Sequence, residues 1–114
     1  MILRADLVES IFGYWPEFAD GRIISFTFEA AGAISMVISY IDSDIRRCAR
    51  IGLRFSGVSK VDLSGLLSEN VIDVLRMPVL GAGVVNIEAC YGLTGTFQCA
   101  GAEVSEITPF AYPD

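Results

Sequence analysis

"RIISFTFEAAGAISMVISYID", residues 22–42, is the stretch on which the fold turns. Ile24, Phe26 and Phe28 alternate with Ser25, Thr27 and Glu29, and Ile34, Met36, Ile38 and Tyr40 alternate with Ser35 and Ser39. A period of two sends successive side chains to opposite faces of a strand, so each run has one apolar and one polar face. Between them "EAAGA" supplies small residues and a glycine for a turn. The pattern predicts a β-hairpin with Ile24, Phe26 and Phe28 on one face of its first strand.

The same period continues downstream. After the charged loop "DSDIRR", "CARIGLRFSG" turns Ala49, Ile51, Leu53 and Phe55 inward and leaves Arg50 and Arg54 wet. "VSKVDL" extends the strand beyond a bend at Gly57. Residues 63–76, "LSGLLSENVIDVLR", read two ways. Leu63, Leu66, Leu67, Val71 and Val74 fit a helix, while Val71, Ile72 and Val74 favour a strand; a turn at Ser68–Asn70 followed by a strand is the preferred reading. "MPVLGAG" breaks the pattern, and "VVNIEACYG", "TGTFQCAG" and "AEVSEI" supply three more short strands. Upstream, Leu3, Leu7, Val8, Ile11 and Phe12 lie on one helical stripe that ends at Gly13. The expected architecture is therefore mainly β, α+β at the margin. It is an antiparallel meander sheet or small two-sheet sandwich of seven to eight strands with a short N-terminal helix, in a single domain spanning residues 1–114.

Composition narrows the function. A chain of 114 residues buries roughly 65% of its unfolded surface and needs no staples. The hydrophobic fraction is 53% and the mean hydropathy +0.53, which implies a generous core or apolar surface reserved for another chain. The longest uncharged run, Ala89–Ala102, is too short and too polar for a spanning helix, which needs about 20 apolar residues. Asp6 and Glu9 interrupt any signal-peptide core. We therefore expect a cytoplasmic protein with no membrane partner. Three cysteines without a CxxC pair make neither a disulfide framework nor a zinc site. Cys90 and Cys99 would face each other if Thr94–Gly95 tipped a hairpin, and are expected as buried free thiols. Fourteen acids against eight bases, a net charge of −6, oppose nucleic-acid binding.

Catalytic groups are scarce. There is no histidine, which removes the common acid/base and nucleophile pairs. "GAG" at 81–83 is no dinucleotide fingerprint. Carboxylate pairs remain, Asp42 with Asp44 in one loop and Glu69 with Asp73 four apart; such a pair could serve glycoside hydrolysis or a hard cation if suitably placed, but loop acids of this kind are ordinarily solvated. We expect no catalytic residue, no cofactor, no metal and no enzyme. The aromatic segment "FGYWPEFADG", residues 12–21, then has two readings. Tyr14, Trp15 and Phe18 could form a binding patch. Alternatively Trp15 and Phe18 cap the sheet core, Pro16 sets the angle at which the chain arrives, and the Asp20 carboxylate accepts from backbone donors in the turn. The second is preferred for Trp15, Pro16, Phe18 and Asp20. Contacts with a partner are assigned to the acids Glu17, Asp42, Asp44, Glu69 and Asp73.

"FGYWPEFADGRI", "LRFSGVSKVDL", "SENVIDVLRM" and "YGLTGTFQCAGAEV" together resemble the immunity protein 50 family of bacterial polymorphic toxin systems. The shared features are W-P-x-F-x-D (Trp15, Pro16, Phe18, Asp20), an N-v-I segment and a C-terminal l-x-G-x-f-x-C hairpin. The resemblance covers roughly residues 10–106. Ala19 stands where the family usually has histidine, and Gly21 where it has alanine. A functional histidine would mean a lost or altered contact here, and a structural one would require an adapted core. The resemblance implies a cytosolic antidote that binds and occludes a cognate toxin domain without turnover. The acidic charge would favour encounter with a basic toxin. The competing expectation is a structural or assembly subunit that forms a homodimer through an unpaired strand edge.

Overall fold

The computed structural model describes residues 1–113, and residues 22–42 form the hairpin that their period demands. β1 (Arg22–Glu29) and β2 (Ala33–Asp42) pair antiparallel, with Phe26 opposite Met36 and Phe28 opposite Ile34. On β2 all four inward residues, Ile34, Met36, Ile38 and Tyr40, are buried. β1 departs from strict alternation. A bulge between Ile23 and Ser25 shifts the side chains by one place, so Ile23 is buried and Ile24 is left 48% exposed. Phe26 packs on the core, whereas Phe28 at the strand end is exposed.

Six further strands follow: β3 (Arg47–Ser56), β4 (Ser59–Ser64), β5 (Val71–Arg76), β6 (Gly83–Tyr91), β7 (Thr94–Cys99) and β8 (Gly101–Phe110). All eight pair antiparallel in one open sheet, in the order β4-β7-β6-β5-β1-β2-β3-β8. Residues 63–76 resolve into the end of β4, a loop, and β5. The fold is mainly β, as the alternation required.

One sheet by hydrogen bonding, it nevertheless folds over itself. Phe55 of β3 and Phe97 of β7 stack edge to face with ring centroids 5.1 Å apart. Five strand spacings on a flat sheet would separate them by about 24 Å. The corner is built where β3 runs into β4 and β7 into β8. Gly57 there has φ +58°, and a Cβ on it would lie 2.5 Å from the Cβ of Ala100. The Ala100 N–H donates to the Ser56 carbonyl at 2.8 Å. Since β3 pairs with β8 and β4 with β7, two long bent strands carry the sheet from one half to the other. Between the halves lies one buried cluster that includes Ile34, Ile51, Leu53, Phe55, Ile72, Leu75, Val85, Ile87, Phe97 and Val104.

Helix α1 (Ala5–Phe12) lies against β8 and β3 with Val8 and Phe12 buried. Gly13 ends it at φ +83°, donating its N–H to the Glu9 carbonyl at 2.7 Å. The helix is shorter than its stripe suggested. Leu3 leaves it to form a parallel bridge with Glu103, donating to the Ala102 carbonyl at 3.0 Å and accepting from Val104 at 2.9 Å. This covers part of the β8 edge. The other edge, β4, is bent by a bulge between Ser59 and Asp62, with Lys60 at φ +52°. Both devices blunt strand edges against pairing with a neighbour.

The cysteine expectation needs correction. All three thiols are free, but only Cys48 and Cys99 are buried, and Cys90 is exposed. Cys99 pairs with Gly83, so it lies at the far end of the β6–β7 hairpin from Cys90, and Thr94–Gly95 is not the tip. Among the described residues no helix is long and apolar enough to cross a membrane.

Candidate functional site

The segment ahead of β1 seals the two halves of the sheet together. β1 meets β5 at a single register pair, Arg22 with Val71. The chain just upstream lengthens that seam: the Leu75 N–H donates to the Glu17 carbonyl at 2.8 Å, Asp20 to Ile72 at 2.7 Å, Ile72 to Gly21 at 2.8 Å, and Ile23 to Asn70 at 2.9 Å. To run this course Phe18 and Asp20 take left-handed backbone, φ +59° and +65°. That conformation is uncommon for phenylalanine and tolerated by aspartate. Phe18 is fully buried and Pro16 buried. Aromatic edges link Trp15 to Phe18 (5.9 Å), Phe18 to Tyr40 (5.4 Å) and Tyr40 to Phe12 (5.1 Å).

The Asp20 carboxylate has no hydrogen-bond partner among the described residues, so its expected role as acceptor for turn N–H groups is not realised; its backbone makes the contact. At Gly21 a Cβ would fall 2.8 Å from the Phe18 carbonyl oxygen and 2.9 Å from Ile38 Cγ2, which explains glycine there. Ala19 is exposed, so a larger side chain at that position would stand at the surface.

Tyr14 closes the aromatic row on its polar side. Its hydroxyl donates to Asp42 Oδ2 at 2.5 Å and lies 2.8 Å from the Tyr40 hydroxyl, which must then be the donor in that pair. Desolvation, and next the bond to Asp42, push the Tyr14 phenol far up, and burial raises that of Tyr40. Both stay protonated at neutral pH. Asp42 Oδ1 also accepts the Asp44 N–H at 3.0 Å, so Asp42 is committed to holding the β2–β3 turn.

The five acids assigned to a partner are dispersed over the surface. Only Asp42 and Asp44 touch. Glu69, in the β4–β5 loop, lies 3.9 Å from Arg22 in a solvent-exposed pair. Asp73 is exposed on β5 and Glu17 is exposed beside Trp15. Among the described residues no three Cys, Asp or Glu side chains are placed to hold a metal ion.

Two features escaped the sequence reading. Asn70 is the one buried polar or charged residue among the described residues. Its Oδ1 accepts from Leu67 (3.1 Å) and Leu93 (2.9 Å), and its Nδ2 donates to the Leu67 carbonyl at 2.9 Å. It pins the β4–β5 loop to the β6–β7 turn, and Leu93, Phe97 and Cys99 of that hairpin are all buried. An asparagine opening the N-v-I segment was the available signal. The second feature is a groove of about 690 Å³ between the N-terminal segment, the Trp15–Glu17 stretch and the end of β5. Ile2, Trp15, Pro16, Leu75, Met77 and Val79 give it apolar walls, and Arg4, Asp6, Glu9, Glu17 and Arg76 stand around it. Its parts are scattered over the first 79 positions, so no local pattern announces it.

A family model described as Immunity protein 50 matches residues 4–110. No curated protein and no solved structure matches the chain.

Proposed function

The chain belongs to the immunity protein 50 family, and from that premise we propose that it neutralises a cognate toxin domain by stoichiometric binding in the cytoplasm, without catalysis. The family match over nearly the whole chain carries this reading. It agrees with the sequence's lack of histidine. Excess negative charge speeds and orients encounter with a basic partner, and an interface of ordinary size would then hold it. Self-association through a strand edge has less support, because Leu3 covers part of β8 and the bulge at Lys60 bends β4.

The test is co-expression with the C-terminal domain of a toxin encoded beside it. Survival of the host, together with a complex that copurifies, is the expected result. Death of the host despite soluble immunity protein would overturn the proposal.

A further inference from the structure

We propose that the groove beside Trp15 is a docking site for a protein segment that presents one apolar side chain flanked by lysines or arginines. On the toxin-binding reading above, on which this inference rests, that segment belongs to the toxin domain.

The geometry supplies both halves of the recognition. The walls offer Trp15, Pro16 and Met77, with Val79 88% exposed at the lip. Trp15 is only half-buried: its ring makes a T-shaped contact with Phe18, and it also lines the groove. Aromatic side chains in such positions are frequent anchors of binding energy.

The charges around the rim decide the sign of the partner. Arg76 is already committed to Glu88 at 3.0 Å. Asp6, Glu9 and Glu17 have no side-chain hydrogen bond or ion pair among the described residues, and these three carboxylates outnumber the two lining cations that no described carboxylate pairs, the Arg4 guanidinium and the Met1 ammonium, which donates to the Leu80 carbonyl. Asp6 and Glu9 are three residues apart on α1, so they share a face. A segment entering the groove therefore meets an apolar floor and a negative rim. Acidic flanks would be repelled, and basic flanks would gain contacts that salt weakens.

Trp15 is the chain's one tryptophan and so reports occupancy by its fluorescence. The probe is a set of synthetic peptides with a central leucine or phenylalanine between arginines, between serines or between glutamates. Basic-flanked peptides should shift the Trp15 emission. Their affinity should fall about tenfold or more in the Asp6→Asn, Glu9→Gln, Glu17→Gln triple variant, which alters solvated groups only and should keep the wild-type melting temperature. Equal response to all three flanks, or no response even at millimolar peptide, would overturn the inference. So would a chain that is already dimeric by light scattering and that Val79→Glu converts to monomer, because a second copy would then fill the groove. Binding of the toxin domain separates the two claims. A toxin that is neutralised equally by wild type and triple variant leaves the proposed function standing and removes the groove. A toxin that is not bound at all, beside peptides that are, does the reverse.

Discussion

Replacing Asn70 by alanine should be the most damaging polar substitution in this protein. The change removes three hydrogen bonds. The Leu93 N–H sits in a buried bond, so losing its acceptor exposes the full desolvation cost, about 1–3 kcal/mol. The two bonds to Leu67 are part-buried and water can replace them, so they contribute about 0.5 kcal/mol each. The sum, about 2–4 kcal/mol, is a large share of the 5–15 kcal/mol typical of a domain and corresponds to about 8–16 °C in melting temperature. Urea unfolding of wild type and Asn70→Ala measures it, with the slope m unchanged and the midpoint lowered. Gly92 supplies the internal control. It has φ +93°, and a Cβ on it would lie 2.3 Å from Asn70 Oδ1. Gly92→Ala should therefore cost less in the Asn70→Ala background than in wild type, with a coupling of about 1 kcal/mol or more. A loss under about 1 kcal/mol for Asn70→Ala, or strict additivity of the pair, would refute the assignment of Asn70 as the pin between the two turns.

Contact between the sheet halves is testable by a second cycle: Phe97→Ala should cost about 3–5 kcal/mol, and the Phe55–Phe97 coupling should reach about 0.5–1.5 kcal/mol in denaturant titrations. Iodoacetamide should label Cys90 in the native protein and reach Cys48 and Cys99 only after denaturation. Local desolvation, with the Asp73 and Asp20 carboxylates behind it, pushes the Cys90 thiol up, so its labelling at pH 8 should be slower than that of a free cysteine and should quicken in Asp73→Asn. Tyr14 and Tyr40 hold their protons more tightly when folded than when unfolded. The stability they contribute is complete below the ordinary phenol value near 10 and declines as pH rises above it. Alkaline unfolding followed by tyrosinate absorbance should show that dependence, weakened in Tyr14→Phe.

Strand content was legible because alternation is a local signal. The inward faces of β2 and β3 could be written down residue by residue, from Ile34 to Tyr40 and from Ala49 to Phe55. β1 was misread at Ile24 because a bulge adds a residue without marking it in the composition. Leu3 was misplaced for a related reason: its spacing fits the helical stripe, but a hydrogen bond to the Ala102 carbonyl and another from the Val104 N–H hold it at the sheet edge. The folding of the sheet onto itself was out of reach, since nothing local to Phe55 or Phe97 says that they meet. The aromatic segment was recognised as a motif, yet its work is done largely by backbone groups from Glu17 to Ile23 that no side-chain pattern encodes. The acids could be named but not placed. Asp42 proves to be engaged by Tyr14, whereas Asp6 and Glu9 come to the groove only through the packing of α1.

Occlusion and turnover differ most plainly in stoichiometry. The decisive measurement titrates a fixed amount of active toxin domain with this chain and follows the residual toxin activity. Neutralisation by binding gives a linear fall that ends near one chain per toxin, with activity recovered when the complex is denatured and the toxin refolded. Complete loss of activity at a small fraction of that ratio, or a toxin that stays inactive after separation, would contradict it.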